Sequence, residues 1–424
     1  MSDLLQTDPL QTHTAHPAQR ARWWIVVLLM ALCFISHMNR VSMSTAADER
    51  IMAQYGMSTQ QMGTVYSAFL LVYTLFMLPG GWFIDRFGAR VALGMMALLT
   101  ALFGVLTGLG AGAFAAAASL WLWLIVVRSI MGFFTVPLHP ASARAVGVWL
   151  PAANQTLANG LITGAALLGI ACTPVAFGAL IDRFDWPVAF VVTATITTAL
   201  GLFWFWMTRN LPQGTAERAE VARSTGLGSR SLVLLTLSYA AIGYFQYLFF
   251  YWMHYYFNHV LVLGKMQSRF YAGLPVFAMA ITMPLGGWLS ARLEAKRGWR
   301  AGRVWVAGLG MFGAVVFLVA GVFAQAHPWT VIAFTLALAS LGLSEAAFWQ
   351  TAIELGGARG GTAAALMNTG GNGIGLLAPI LTPFIAAHLG WQAGLGMGAV
   401  VCLAGALCWL WIRPAPATKE PHIL

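Results

Sequence analysis

The 424-residue chain is 59% hydrophobic and only 8% charged, with a mean hydropathy of +0.75. A soluble domain carries about 25% charged residues, so a soluble bundle or solenoid is excluded and the lipid bilayer is the solvent. The formal net charge of +10 invites a nucleic-acid partner, but the positions of the charges argue against one.

A membrane-spanning helix needs about 20 apolar residues. Twelve such spans are expected in chain order, near 22–46, 58–83, 90–111, 116–143, 152–180, 187–208, 231–258, 266–290, 302–325, 328–354, 360–387 and 390–412. With the N-terminus in the cytoplasm, 17 of the 23 Lys and Arg fall on the cytoplasmic side. Four fall outside (Arg50, Arg183, Lys265, Arg269) and two within spans (Arg40, Arg128). This split obeys the positive-inside rule. The basic balance is thus a topology signal, and no nucleic-acid partner is expected. Both termini are expected in the cytoplasm of a multi-pass protein of the cytoplasmic (inner) membrane. Residues 1–19 are polar and lack the apolar region of a cleaved signal peptide, so the first span serves as the insertion signal.

Two arginines are the most informative residues. Arg40 follows the apolar run 23–38, and Arg128 closes the run 91–127, which holds no charged residue. An arginine at bilayer depth costs roughly 2.5–3.5 kcal/mol on insertion scales. Such a cost is tolerated where the guanidinium faces a water-filled cavity and binds an anion. On a regular fourth helix, Arg128, Thr135 and His139 lie within about 20° of one face. On the first span, His37 and Arg40 are three apart and neighbours.

The stretch 209–230 is the one long polar segment and reads as a linker. The organisation expected is a tail (1–21), a six-helix bundle (22–208), the linker (209–230), a second six-helix bundle (231–413) and a tail (414–424). Internal repetition supports two halves. Gly80 and Gly286, Arg86 and Arg292, and Thr163-Gly164 and Thr369-Gly370 are all 206 apart. Three matches at one offset near half the length indicate a duplicated six-helix unit. The 45 glycines, crowded in the fifth and eleventh spans, suit close helix packing.

The second half supplies polar groups for the same cavity. Glu345 is a carboxylate well inside the tenth span and lies 206 after His139. It is a candidate proton carrier or cation partner. Asn368 and Asn372, four apart, share a helix face and suit substrate hydroxyls. On the aromatic seventh span, Gln246 and Tyr247 are expected towards the cavity. Four cysteines lie in apolar stretches, where a thiol packs as a small hydrophobe. No metal-ligand spacing, nucleotide-binding glycine loop or nucleophile constellation occurs. Neither a cofactor nor an enzymatic activity is expected.

The run Gly81-Trp82-Phe83-Ile84-Asp85-Arg86-Phe87-Gly88-Ala89-Arg90 resembles the loop 2–3 signature of the major facilitator superfamily. The resemblance implies an all-α integral membrane fold of twelve transmembrane helices in two pseudo-symmetric six-helix bundles. It also implies a cytoplasmic latch made by Asp85, Arg86 and Arg90. Asn39-Arg40-Val41-Ser42, the run from Tyr66 to Gly81, Arg128 with Gly132, and Met367 to Asn372 with Pro379 resemble the anion:cation symporter family. That resemblance implies transport of organic anions such as sugar acids, often with protons. It also implies that Arg40, Arg128 and Tyr73 line the site. Two departures stand out: Asn39 replaces an acidic residue often found before the first-span arginine, and Thr135 replaces a glutamate often found on the fourth span. Proton coupling is therefore expected at Glu345, His37 or His139, if the chain couples to protons at all. Import of a small organic anion by a monomer in the bilayer is the expectation. Exchange or facilitated diffusion, and a non-transporting receptor on the same scaffold, are the alternatives.

Overall fold

The computed structural model describes residues 23–211 and 229–414. The tail up to residue 22, residues 212–228 of the expected linker and residues 415–424 lie outside them. The described residues form helices and no strands. Lipid offers no hydrogen bonds, so each backbone N–H and C=O must be paired inside its own segment. Ten helices are long and apolar enough to cross a membrane. Met77–Ala113 breaks at Gly88 (φ 78°), and Ala152–Met207 breaks at Asp185 (φ 65°). With Thr59–Leu75 leading into the first of these, the described residues make twelve spans. The first and last of the described residues, Trp23 and Pro414, therefore lie on one side, called here the terminal end; the other is the distal end.

Asp185 starts the sixth span, and its Oδ1 accepts from the Trp186 backbone N–H at 2.9 Å. The first helix runs to Tyr55, past the expected end at 46, through a π-helical turn at Ala47–Ile51. The eighth runs to Arg297 rather than 290. The fourth span is not one regular helix. It divides into Ala117–Thr135 and Leu138–Trp149, because Pro137 has no N–H to donate and its ring crowds the preceding turn. The shared face expected for Arg128, Thr135 and His139 is therefore interrupted before His139. Of the cysteines, Cys33 and Cys402 are buried, whereas Cys172 is exposed.

Glycine sets the closest helix pairs. A Cβ on Gly169 would stand 2.2 Å from the Phe34 carbonyl oxygen, and one on Gly375 would stand 2.9 Å from the Gly243 carbonyl carbon. Gly169 and Gly375 are 206 apart, so the first–fifth and seventh–eleventh contacts repeat across the halves. The halves meet along the second and eleventh spans, where the Ser67 hydroxyl donates to the Leu376 carbonyl at 2.6 Å. They meet again along the fifth and eighth spans, where Gly273 abuts the Ala171 carbonyl.

Candidate functional site

Arg40 lies where the two halves face each other. Its guanidinium sits 5.6 Å from the Phe69 ring centroid, 5.1 Å from Tyr73 and 5.1 Å from Tyr247. Aromatic faces attract a cation at these distances. Its Nη2 donates to the Tyr247 hydroxyl at 2.5 Å, and that hydroxyl donates to Oδ1 of Asn372. The Asn372 amide donates in turn to the carbonyl oxygen of Asn368 at 2.9 Å and to its side-chain Oδ1 at 3.3 Å. Arg40, Tyr73, Tyr247, Asn368 and Asn372 thus form one connected group spanning both halves. Gln246 makes no hydrogen bond to that group. One residue along a helix turns a side chain by about 100°, so Tyr247 and Gln246 cannot share a direction. Phe69 and Tyr251 were not singled out from the sequence. Tyr251 packs edge-on against Tyr247 at 6.1 Å and stacks on Tyr66 at 5.0 Å. Its spacing of four from Tyr247 was the available signal.

Arg128 is only 2% exposed. Its Nη2 donates to the carbonyl oxygens of Asn39 and Arg40 at 3.1 and 2.7 Å, and its Nη1 donates to Met131 Sδ at 3.2 Å. The guanidinium lies 5.4 Å from the Phe69 centroid, so both arginines flank one ring. Arg128 grips the turn that carries Arg40 and leaves Arg40 as the more accessible cation. Among the described residues neither arginine forms an ion pair. Asn39, at the position expected for an acid, donates instead to the Thr197 hydroxyl at 2.9 Å.

Two further polar groups border this region. His37 Nδ1 lies 3.0 Å from the Cys33 carbonyl oxygen, and its Nε2 lies 3.3 Å from Nε2 of His139. That distance suits one N–H···N hydrogen bond between the rings, its direction set by their tautomers. Glu345 is 5% exposed. Its Oε1 accepts from the Tyr239 hydroxyl at 2.6 Å and from Trp349 Nε1 at 3.1 Å, while Oε2 has no hydrogen-bond partner. No ion pair to Glu345 occurs among the described residues.

The loop signature lies at the terminal end, within the first half. Asp85 pairs with Arg144 at 2.7 Å, and Arg144 also donates to the Ile84 carbonyl at 3.1 Å. Arg86 stacks near Phe87 at 5.9 Å, and Arg90 donates to the Phe205 carbonyl at 3.1 Å. None of these contacts crosses to the second half.

Ion pairs between the halves occur at the distal end and were not foreseen. Arg269, read from sequence as an outside charge, has a side chain only 1% exposed. It binds Glu49 through Nε at 2.7 Å and Nη2 at 2.5 Å, and Asp182 through both terminal nitrogens. Asp48 faces His254 at 3.0 Å and His259 at 2.7 Å. The first half supplies Asp48, Glu49 and Asp182; the second supplies His254, His259 and Arg269.

Residues 29–378 match the Major Facilitator Superfamily. The chain is 26% identical over 422 residues to a protein of Cupriavidus necator named as a probable sulfoacetate transporter, covering 95% of this chain and 96% of that one. It is 25% identical to the D-galactonate transporter of Escherichia coli O6:H1, covering 95% and 97%. It is also 25% identical to a chloroplastic ascorbate transporter of Arabidopsis thaliana, covering 92% and 74%. Among solved structures, a bacterial homologue of the human lysosomal transporter Spinster superposes with a TM-score of 0.76 at 15% identity, covering 94% of this chain and 99% of that chain. With twelve spans in two repeated halves and a sequence match over most of its length, the chain belongs to the major facilitator superfamily.

Proposed function

We propose that the protein carries a small organic anion across the cytoplasmic membrane by alternating access, with a sugar acid or related carboxylate as cargo. The observation that carries this reading is Arg40. It is a cation in a membrane span with no ion pair among the described residues, held by three aromatic rings and linked through Tyr247 to an amide pair of the other half. A carboxylate can replace the Tyr247 hydroxyl on the guanidinium as a bidentate partner. The substrate's own hydroxyls can then meet Tyr247, Asn368 and Asn372, which draws the halves together around it. The names of the similar proteins, which include sulfoacetate and D-galactonate transporters, support the same class of cargo. The positive-inside distribution supports cytoplasmic termini.

Proton symport is the energy source we favour, with Glu345 or the His37–His139 pair taking the proton. An exchanger or facilitator is the second reading, favoured by the uncharged Asn39 and Thr135. Uptake of an organic-acid panel into proteoliposomes under an imposed pH gradient separates them. Symport requires accumulation driven by inward protons, and Glu345→Gln should abolish accumulation while exchange continues. Arg40→Ala should abolish both. Full uptake by Arg40→Ala refutes the assignment of the site.

A further inference from the structure

The distal ion cluster contains a histidine with an unusual environment. His254 is 4% exposed, with Nδ1 3.0 Å from Asp48 Oδ2 and Nε2 3.5 Å from Glu49 Oε1. These are ion-pair distances, although the angles do not make well-formed hydrogen bonds. A neutral imidazole has one donor nitrogen and one acceptor nitrogen. Whichever tautomer it adopts, one nitrogen then faces a nearby carboxylate oxygen with a lone pair rather than an N–H. Only the cation offers an N–H to both.

Charge balance points the same way. Asp48 and Glu49 have side chains 1% and 0% exposed. Among the described residues, the permanent cation buried with them is Arg269. With His254 neutral, this buried set carries one net negative charge; with His254 protonated, it carries none. The other ionisable groups around it are Arg50 and Asp185, which pair at 3.2 Å, Asp182 on Arg269, His259 on Asp48, Lys265 near Asp182, and Tyr66 and Tyr255 near Asp48. Tyr251 stacks on Tyr66. His259 is 47% exposed, so water competes for its charge. On its inner side, His254 borders a small cavity with Ser44, Thr45 and Thr173, and the buried Thr45 hydroxyl has no partner. A proton leaving the ring has polar groups on that side.

We propose that His254 is a proton-binding site that closes the distal end of the transporter. A proton taken onto its ring gives a cation of the second half held between Asp48 and Glu49 of the first. Loss of the proton leaves a lone pair against a carboxylate and releases that contact. The device acts without substrate, and so goes beyond the transport reading; its test likewise needs no transport.

Spin labels at Ala53 on the first helix and Met266 on the eighth, both exposed, report the distal opening in nanodiscs without substrate. Histidine changes charge between about pH 5 and 8. The short distance should dominate at the acid end and lose population to the long one towards the alkaline end. His254→Gln should make the distances independent of pH, whereas His259→Gln should keep the dependence. Should His254→Gln not fold, Asp48→Asn keeps the ring, removes one of its two anions, and should flatten the same curve. A wild-type distribution that ignores pH, or a dependence that survives either His254→Gln or Asp48→Asn, overturns the proposal.

Discussion

Replacing Arg269 with methionine tests whether the distal cluster sets the conformational equilibrium. Methionine keeps much of the stem and removes the charge. In the closed form Glu49 would stay buried, its side chain fully covered, with only His254 at 3.5 Å as a cationic neighbour. Removing one partner of a buried pair costs about 3–5 kcal/mol. In the open form water reaches both acids and most of that penalty disappears. The loss therefore falls on the closed-to-open ratio, as a factor of roughly 100 to 4,000. A cysteine at Ser44, which lines the cavity beneath the cluster, reads this out when the four native cysteines are serine. A membrane-impermeant maleimide should label it at least about 100-fold faster in Arg269→Met than in the parent, the lower bound of that factor. Adding Glu49→Gln removes the buried stranded charge and should recover most of the protection, because the other partner of Arg269, Asp182, has a side chain 43% exposed and can be met by water. Equal labelling in parent and Arg269→Met, or a double variant as open as the single, would refute the reasoning.

Two further outcomes are expected from the packing. Gly243→Ala places a Cβ 2.1 Å from the Gly371 carbonyl oxygen. Backbone must then move backbone, so stability should fall by about 1–3 kcal/mol and Tm with it, as thermal unfolding in detergent would show. Asp85→Asn breaks a pair in which the Asp85 side chain is 79% exposed. Its stability cost should stay under about 1 kcal/mol, and exchange should slow while substrate affinity, read by equilibrium binding, changes less. A large affinity loss with unchanged exchange would contradict that role.

The central site was legible because polar residues in apolar runs carry their own explanation. Arg40 and the amides of Asn368 and Asn372 are conspicuous for their cost in lipid, whereas Tyr73, on the second span, was marked by the family resemblance and Tyr247 by its place on the aromatic seventh span. The direction of each side chain was less legible. Gln246 and Tyr247 are adjacent in sequence, and only Tyr247 joins the Arg40 group. Arg128 was expected to hold the anion, but its donors go to two first-span carbonyls, a pairing that no spacing reveals. The distal cluster escaped for a different reason. Arg269 and Glu49 are 220 residues apart, and a count of charges by side treats both as loop-end residues. The one local hint was the acid pair Asp48-Glu49 directly after an apolar helix. A pair of carboxylates at the edge of lipid needs cations, and the fold brings them from the other half.

The grip of Arg128 on the carbonyls of Asn39 and Arg40 has an evolutionary consequence. On the proposed reading, recognition of negative charge belongs to the first six helices, braced by backbone that a change of cargo need not alter. On the same reading, the groups that would meet the rest of the cargo, Tyr247, Asn368 and Asn372, sit on the other six. Charge and shape would then be inherited on separate halves. A lineage can acquire a new cargo by substituting a few residues of the second half, provided that the new cargo is still an anion. Selection for altered cargo in the laboratory should accordingly leave Arg40 and Arg128 untouched and collect its changes on the seventh and eleventh spans.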